Sequence, residues 1–388
     1  MRAGATAARV TAIVAVASLA LGLLTGAGGG FEWRLPAWVP LPVVPADNPM
    51  SAEKVNLGRH LFYDTRLSAD GSMSCATCHR QALAFTDGRA VAPGVDGTDG
   101  VRSAMPLANV AYLPVLTWAN PNLRTLEVQA LVPMFGEHPR EMGIAGREQE
   151  LFARLRADAR YPSMFRAAFP DQHGEISLAT ITRALAAFER TLLSFDSPYD
   201  RYRYGGQPEA ISAAAKRGEA LFFGEKLECY HCHSGFNFTD NQQHARLAHP
   251  EIGYHNNGLY NVDGRGGFPP DNPGLREVTG RAEDEGKFRT PSLRNVALTA
   301  PYMHDGSVPT LRAVLAHYAA GGRTVTTGPH RGAGARNPNK SPLVAGFELS
   351  EDEIGDLIAF LESLTDDRFV TDPRFSDPFA KGSPTPTR

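Results

Sequence analysis

Apolar residues in this chain recur at helical spacing in a few well-marked stretches. Ile181, Leu185, Phe188 and Leu192 follow one another at three- to four-residue intervals, which predicts an amphipathic helix opened by Ser177 and running to Phe195. A second apolar stripe, Ile354, Leu357, Ile358 and Leu361, follows Ser350 and Glu353, a pair spaced as a capping box. Leu311, Val314, Leu315 and Tyr318 share a third helical face. Period-two alternation is weak throughout. With 29 Pro and 38 Gly, the pattern predicts helices joined by long loops.

The pattern also repeats. Leu57-Gly58-Arg59-His60-Leu61-Phe62 has a counterpart in Arg217-Gly218-Glu219-Ala220-Leu221-Phe222, each reading as a short helix whose Gly permits close helix crossing. Residues 31–50 are rich in Pro and aromatics and read as an extended arm carrying Trp33 and Trp38. Residues 321–342 lack periodicity and read as a long surface loop, with partner docking as a second reading.

Composition sharpens the setting. Residues 1–30 hold Arg2, Arg9 and a short apolar run from Val10 to Leu24, the pattern of an export signal, with an uncleaved N-terminal anchor as the alternative. The rest is long enough for two domains. Net charge is −3 and no Lys/Arg run occurs, which argues against nucleic acid as a partner.

All four cysteines fall in two strings, Cys75–His79 (CATCH) and Cys229–His233 (CYHCH). C-x-x-C-H is the attachment pattern of a c-type haem, with Cys75, Cys78, Cys229 and Cys232 joined to the vinyl groups and His79 and His233 beneath the irons. A zinc or dithiol site is the rival reading. Two such strings with no cysteine left over favour two covalent haems, and c-type attachment fits a periplasmic protein.

Each haem string is followed by a longer motif: CHRQALAFTDG after the first, and RTPSLRNVALTAPYMHDG, from Arg289 to Gly306, after the second. Together these resemble the dihaem cytochrome c peroxidase and MauG superfamily over about residues 50–370. NVAYLPVLTWANP and LVPMFGEHPREMG are similar to MbnH-type members, MauG relatives associated with methanobactin-type copper proteins. The resemblance implies a mainly α fold of two cytochrome c-like domains, residues 51–200 and 201–380. The first would hold the haem that reacts with peroxide and the second an electron-transfer haem.

It also implies roles. In the family peroxidases a Met fourteen residues beyond the His of the PYxHDG string is the second ligand of the C-terminal haem; here Tyr318 stands fourteen beyond His304, as in the MauG group. A plain core tyrosine is the other reading of its helical face. No histidine lies between His79 and His138, so the first iron is expected open to peroxide, with His138 or Met134 as candidates to block it. The family's Q-x-x-x-P…E-M string matches Gln129, Pro133, Glu141 and Met142, with two extra residues before Glu141. Glu141 is thereby the expected acid/base group, with Glu137 as its rival. Trp118 is the expected relay between haems, and Asn109 with the carbonyls of Thr299 and Pro301 would hold one Ca²⁺.

The resemblance thus implies an enzyme that uses H₂O₂ to build a high-valent state shared by both irons. That state would oxidise a residue, foremost a tryptophan, of an exported, copper-associated protein. Two rivals stand: a cytochrome c peroxidase fed by small electron-transfer proteins, and a passive dihaem carrier. An open first iron and a distal acid would be liabilities in a carrier.

Overall fold

Two helix pairs, built alike, form the frame of the molecule. Helix Ala52–Tyr63 crosses helix Leu178–Glu189, and helix Ala213–Phe222 crosses helix Glu351–Glu362. The crossings are closest at the repeated glycines. A Cβ on Gly58 would lie 1.9 Å from the Ala184 carbonyl oxygen, and one on Gly218 would lie 2.0 Å from that of Asp356. Only glycine lets the backbones approach this far. Leu61 and Phe62 are wholly buried beside the first crossing, and Phe222 is buried beside the second.

The computed structural model describes residues 31–380 and, before them, only the two-residue strand Leu24–Thr25. The export segment otherwise lies outside the described residues. Among the described residues the fold is mainly helical, and its sheets are three two-stranded pairs. None of these helices is long and apolar enough to cross a membrane.

Ser177 and Ser350 both close capping boxes, with Thr180 and Glu353 as their partners. The first helix ends at Glu189 rather than running to Phe195. Leu192 and Phe195 stay buried, but on irregular backbone that turns away from the helix axis.

A second internal repeat joins the halves. Leu107-Ala108-Asn109-Val110-Ala111 matches Leu293-Arg294-Asn295-Val296-Ala297. Both asparagines are left-handed, at φ 59° and 60°, and each starts a 3₁₀ turn. The Asn109 Oδ1 accepts the Ser194 N–H at 2.7 Å, and the Asn295 Oδ1 accepts the Asp366 N–H at 2.8 Å. The two locks touch: Asn295 Nδ2 donates to Ser194 Oγ at 2.9 Å.

The halves are interleaved at the chain's ends. One core runs through residues 57–192 but also takes in Phe369 and Phe375, while the other spans residues 199–364. Residues after about 366 therefore pack on the first half, although they belong by sequence to the second. Tyr63 Oη donates to the Phe375 carbonyl at 2.6 Å, and Gln81 Nε2 to that of Asp372 at 2.8 Å.

The arm over 31–50 buries Trp33, Leu35 and Val39 against Tyr112, Ala187 and Phe195. Trp38 stacks on Tyr204 with centroids 3.9 Å apart. The 321–342 segment is more than a surface loop. Its strands Thr324–Val325 and Gly332–Ala333 pair, and buried Asn337 donates to the carbonyls of Tyr260 and Gly266 at 2.8 and 3.1 Å.

Candidate haem-binding active site

Each C-x-x-C-H string is followed by a tight loop that returns a carbonyl to its histidine. After the first, left-handed Ala84 and Phe85 turn the chain, and the Phe85 carbonyl lies 2.8 Å from His79 Nδ1. After the second, left-handed Phe238 places its carbonyl 3.0 Å from His233 Nδ1. A proton held on Nδ1 leaves the lone pair on Nε2, the form a metal ligand needs. Burial pushes both imidazoles toward the neutral state. It also pushes the thiols of Cys75, Cys78 and Cys229 upward.

A cavity of about 250 Å³ opens in the second half. Cys229, Cys232 and His233 line one wall, and Leu311, Val314, Leu315 and Tyr318 line another. The apolar face read from the sequence is therefore the cavity wall, and Tyr318 is on it. Burial pushes the Tyr318 phenol up to about 12; a bound metal cation would act in the opposite sense. Met303, the only methionine after the second string, has its sulfur 3.3 Å from Asn257 Nδ2. Two thiols and an imidazole around an apolar cavity that also contains a phenol fit a covalently held haem.

In the first half, Thr125 caps a one-turn helix, Leu126–Gln129, that leads into Leu131–Phe135. Met142 and Ile144 then run back along it, donating to the carbonyls of Pro133 and Met134 at 2.9 and 2.8 Å. Residues 136–140 loop out before this return, and Glu141 directly precedes the Met142 that bonds Pro133. Its rival Glu137 is exposed, as is His138, whereas Met134 is buried. The charge of Glu141 acts on both Cys75 and Cys78, and desolvation pushes its carboxyl up. Gln129 is half-buried on the helix before it.

Trp118 lies where the halves meet. Its indole N–H donates to the Ser103 carbonyl at 2.8 Å, and its own carbonyl accepts the Arg289 N–H at 2.8 Å. It faces the cavity of the second half. The residues expected to hold calcium lie in two places. Asn109 commits its amide to Ser194 and Asn237, and Thr299 and Pro301 line that cavity.

Several groups escaped the sequence reading. His304 is 4% exposed, stacks on Phe288 at 3.6 Å and has no partner for Nε2. Glu189 is buried, and desolvation pushes its carboxyl up to about 8. His255 Nε2 lies 2.6 Å from Asp240 Oδ2 beside Cys232. Arg289 is 3% exposed on the wall of the cavity of the second half. His304 and Arg289 lie in the motif after the second haem string and were open to inspection there. Glu189 and His255 lie in ordinary-looking stretches.

Known proteins match this arrangement. The family model described as di-haem cytochrome c peroxidase matches residues 52–208, and one described as RoxA-like, cytochrome c-like, matches residues 287–319. The methylamine utilization protein MauG of Methylorubrum extorquens is 39% identical over 336 residues, covering 86% of this chain and 83% of that protein. The cytochrome-c peroxidase IdrP1 of Denitromonas iodatirespirans is 35% identical over 389 residues, covering 94% of each. A solved MauG-like protein associated with microbial copper homeostasis superposes with a TM-score of 0.88 at 50% identity, covering 90% of this chain and 100% of that one. With haem as the cofactor its family implies, the chain belongs to the dihaem cytochrome c peroxidase and MauG family of haem oxidoreductases.

Proposed function

We propose that this chain is an exported dihaem oxidoreductase that uses H₂O₂ to oxidise a residue, foremost a tryptophan, of a partner protein by long-range electron transfer. The observation that carries this reading is Tyr318 on the wall of the cavity that holds Cys229, Cys232 and His233. A phenolate ligand favours oxidised iron, whereas a thioether favours electron uptake from small carriers. The haems would supply the peroxide chemistry and store the oxidising equivalents.

The chain's own groups would do the rest. Glu141, with its protonated form favoured by burial, is suited to move a proton between the two peroxide oxygens. Gln129, one helix turn before Pro133, would help orient the peroxide. Trp118, held by Ser103 and Arg289, would pass charge between the halves. The 50% identity to a MauG-like protein associated with copper homeostasis supports a partner from copper handling.

A second reading, peroxide reduction with electrons from small cytochromes or cupredoxins, is favoured by the likeness to IdrP1. Stoichiometric H₂O₂ added to the purified diferric protein, without reductant, separates the two. A prompt, long-lived change in Soret and near-infrared absorption is expected for partner oxidation. A reaction that waits for one-electron reduction would give the place to the peroxidase.

A further inference from the structure

The four buried arginines among the described residues meet their charge in different ways. Arg59 donates to the Ser376 carbonyl and hydroxyl, with the charges of Asp377 and Asp372 acting on it. Arg294 is paired with Asp200 at 2.8 Å and Arg190 with Glu127 at 2.7 Å. Arg289 has no carboxylate within salt-bridge distance among the described residues. Its Nε donates to the Thr117 carbonyl at 3.2 Å, one terminal nitrogen to the Thr290 carbonyl at 3.3 Å, and the other to the Met105 sulfur at 3.3 Å. These are three long bonds to neutral acceptors. Each terminal nitrogen keeps a second N–H with no protein acceptor. A guanidinium buried to this degree without an anion is costly.

The surroundings supply another unmet donor, and the Asp240 carboxylate acts on Arg289 without pairing with it. Tyr254, directly opposite Arg289 across the short strand pair, has a buried hydroxyl with no partner. Desolvation pulls the Arg289 guanidinium down to about 10. Yet Arg289 lines the cavity that also holds Cys229, Cys232 and His233, and the family's cofactor carries two carboxylates on its rim. Arg289 further donates its backbone N–H to the Trp118 carbonyl.

We propose that Arg289 is the counter-ion of a propionate of the haem held by Cys229, Cys232 and His233, fixing that carboxylate against the Thr117–Trp118 backbone. The proposal rests on the haem that the family assignment implies. Its consequence is electrostatic. A cation beside the haem stabilises reduced iron, so Arg289 holds that haem's potential above the value a phenolate ligand alone would set. It also gives the haem a charged anchor at the residue expected to relay electrons.

The test compares holoprotein carrying Arg289→Gln, Arg289→Lys and the parent residue. Haem content by pyridine haemochrome comes first. An empty second site in the parent protein would overturn the haem reading itself, and Arg289 with it. With both haems present, spectroelectrochemistry is expected to show the second haem's midpoint lowered in Arg289→Gln and largely kept in Arg289→Lys, with the first haem unmoved. An unshifted second haem in Arg289→Gln would overturn the proposal. Should Arg289→Gln not accumulate, resonance Raman of Arg289→Lys decides. A moved propionate bending mode is expected, and an unmoved one would reject the anchor.

Discussion

Glu141 and Asp158 show how a carboxyl's surroundings set its use. Glu141 is half-buried beside the first haem string, and desolvation favours its protonated form. Glu141→Gln keeps the shape and removes the proton, so peroxide reaction in stopped flow is expected to slow by about 10²- to 10⁴-fold. Its haem spectrum should be unchanged. Asp158 lies between Arg160 and Arg66, whose hydrogen bonds hold its carboxyl well below the usual range. A depressed carboxyl contributes stability above its ordinary value of 3.8, lost as pH falls through the folded value. Asp158→Asn is therefore expected to lower the melting temperature at pH 7, with the gap to the parent narrowing below about pH 4.

At the scale of elements, the glycine crossings give the sharpest expectation. In an exposed helix, Gly→Ala would stabilise by about 1 kcal/mol. At Gly58 and Gly218 the added methyl would meet a carbonyl oxygen of the crossing helix, and overpacking costs about 1–3 kcal/mol. Thermal melts of Gly58→Ala and Gly218→Ala should both fall, and a rise in either would reject the close crossing.

These crossings were legible because a repeat fixes both position and spacing. The caps at Ser177 and Ser350 were legible for the same local reason. The return of Met142 and Ile144 along the 131–135 helix was not legible, since it rests on backbone bonds between segments that the extra residues separate. Arg289 was not legible as unpaired: charge pairing depends on which distant carboxylates the fold brings near. The Asn109 and Asn295 locks were visible as LANVA and LRNVA, but a five-residue match away from the haem strings carries little weight on its own.

For the whole molecule, the first half is not complete without residues from the other end of the chain. Phe369 and Phe375 fill the core around the first haem string, and Ser194, Asn109, Asn295 and Asp366 bind the halves through buried polar bonds. Phe369→Ala is expected to cost about 3–5 kcal/mol. In chemical denaturation the change should be read first at the Soret band of the His79 haem. A loss read first at the other haem would contradict the packing.

The returning tail also orders events in time. During synthesis Cys75 and Cys78 emerge long before Phe369 and Phe375, and the core beside the first haem string lacks its last wall until those two residues arrive. The nascent first half thus remains an unsealed cup until then. Residues 369–375 then act as the stopper on that core.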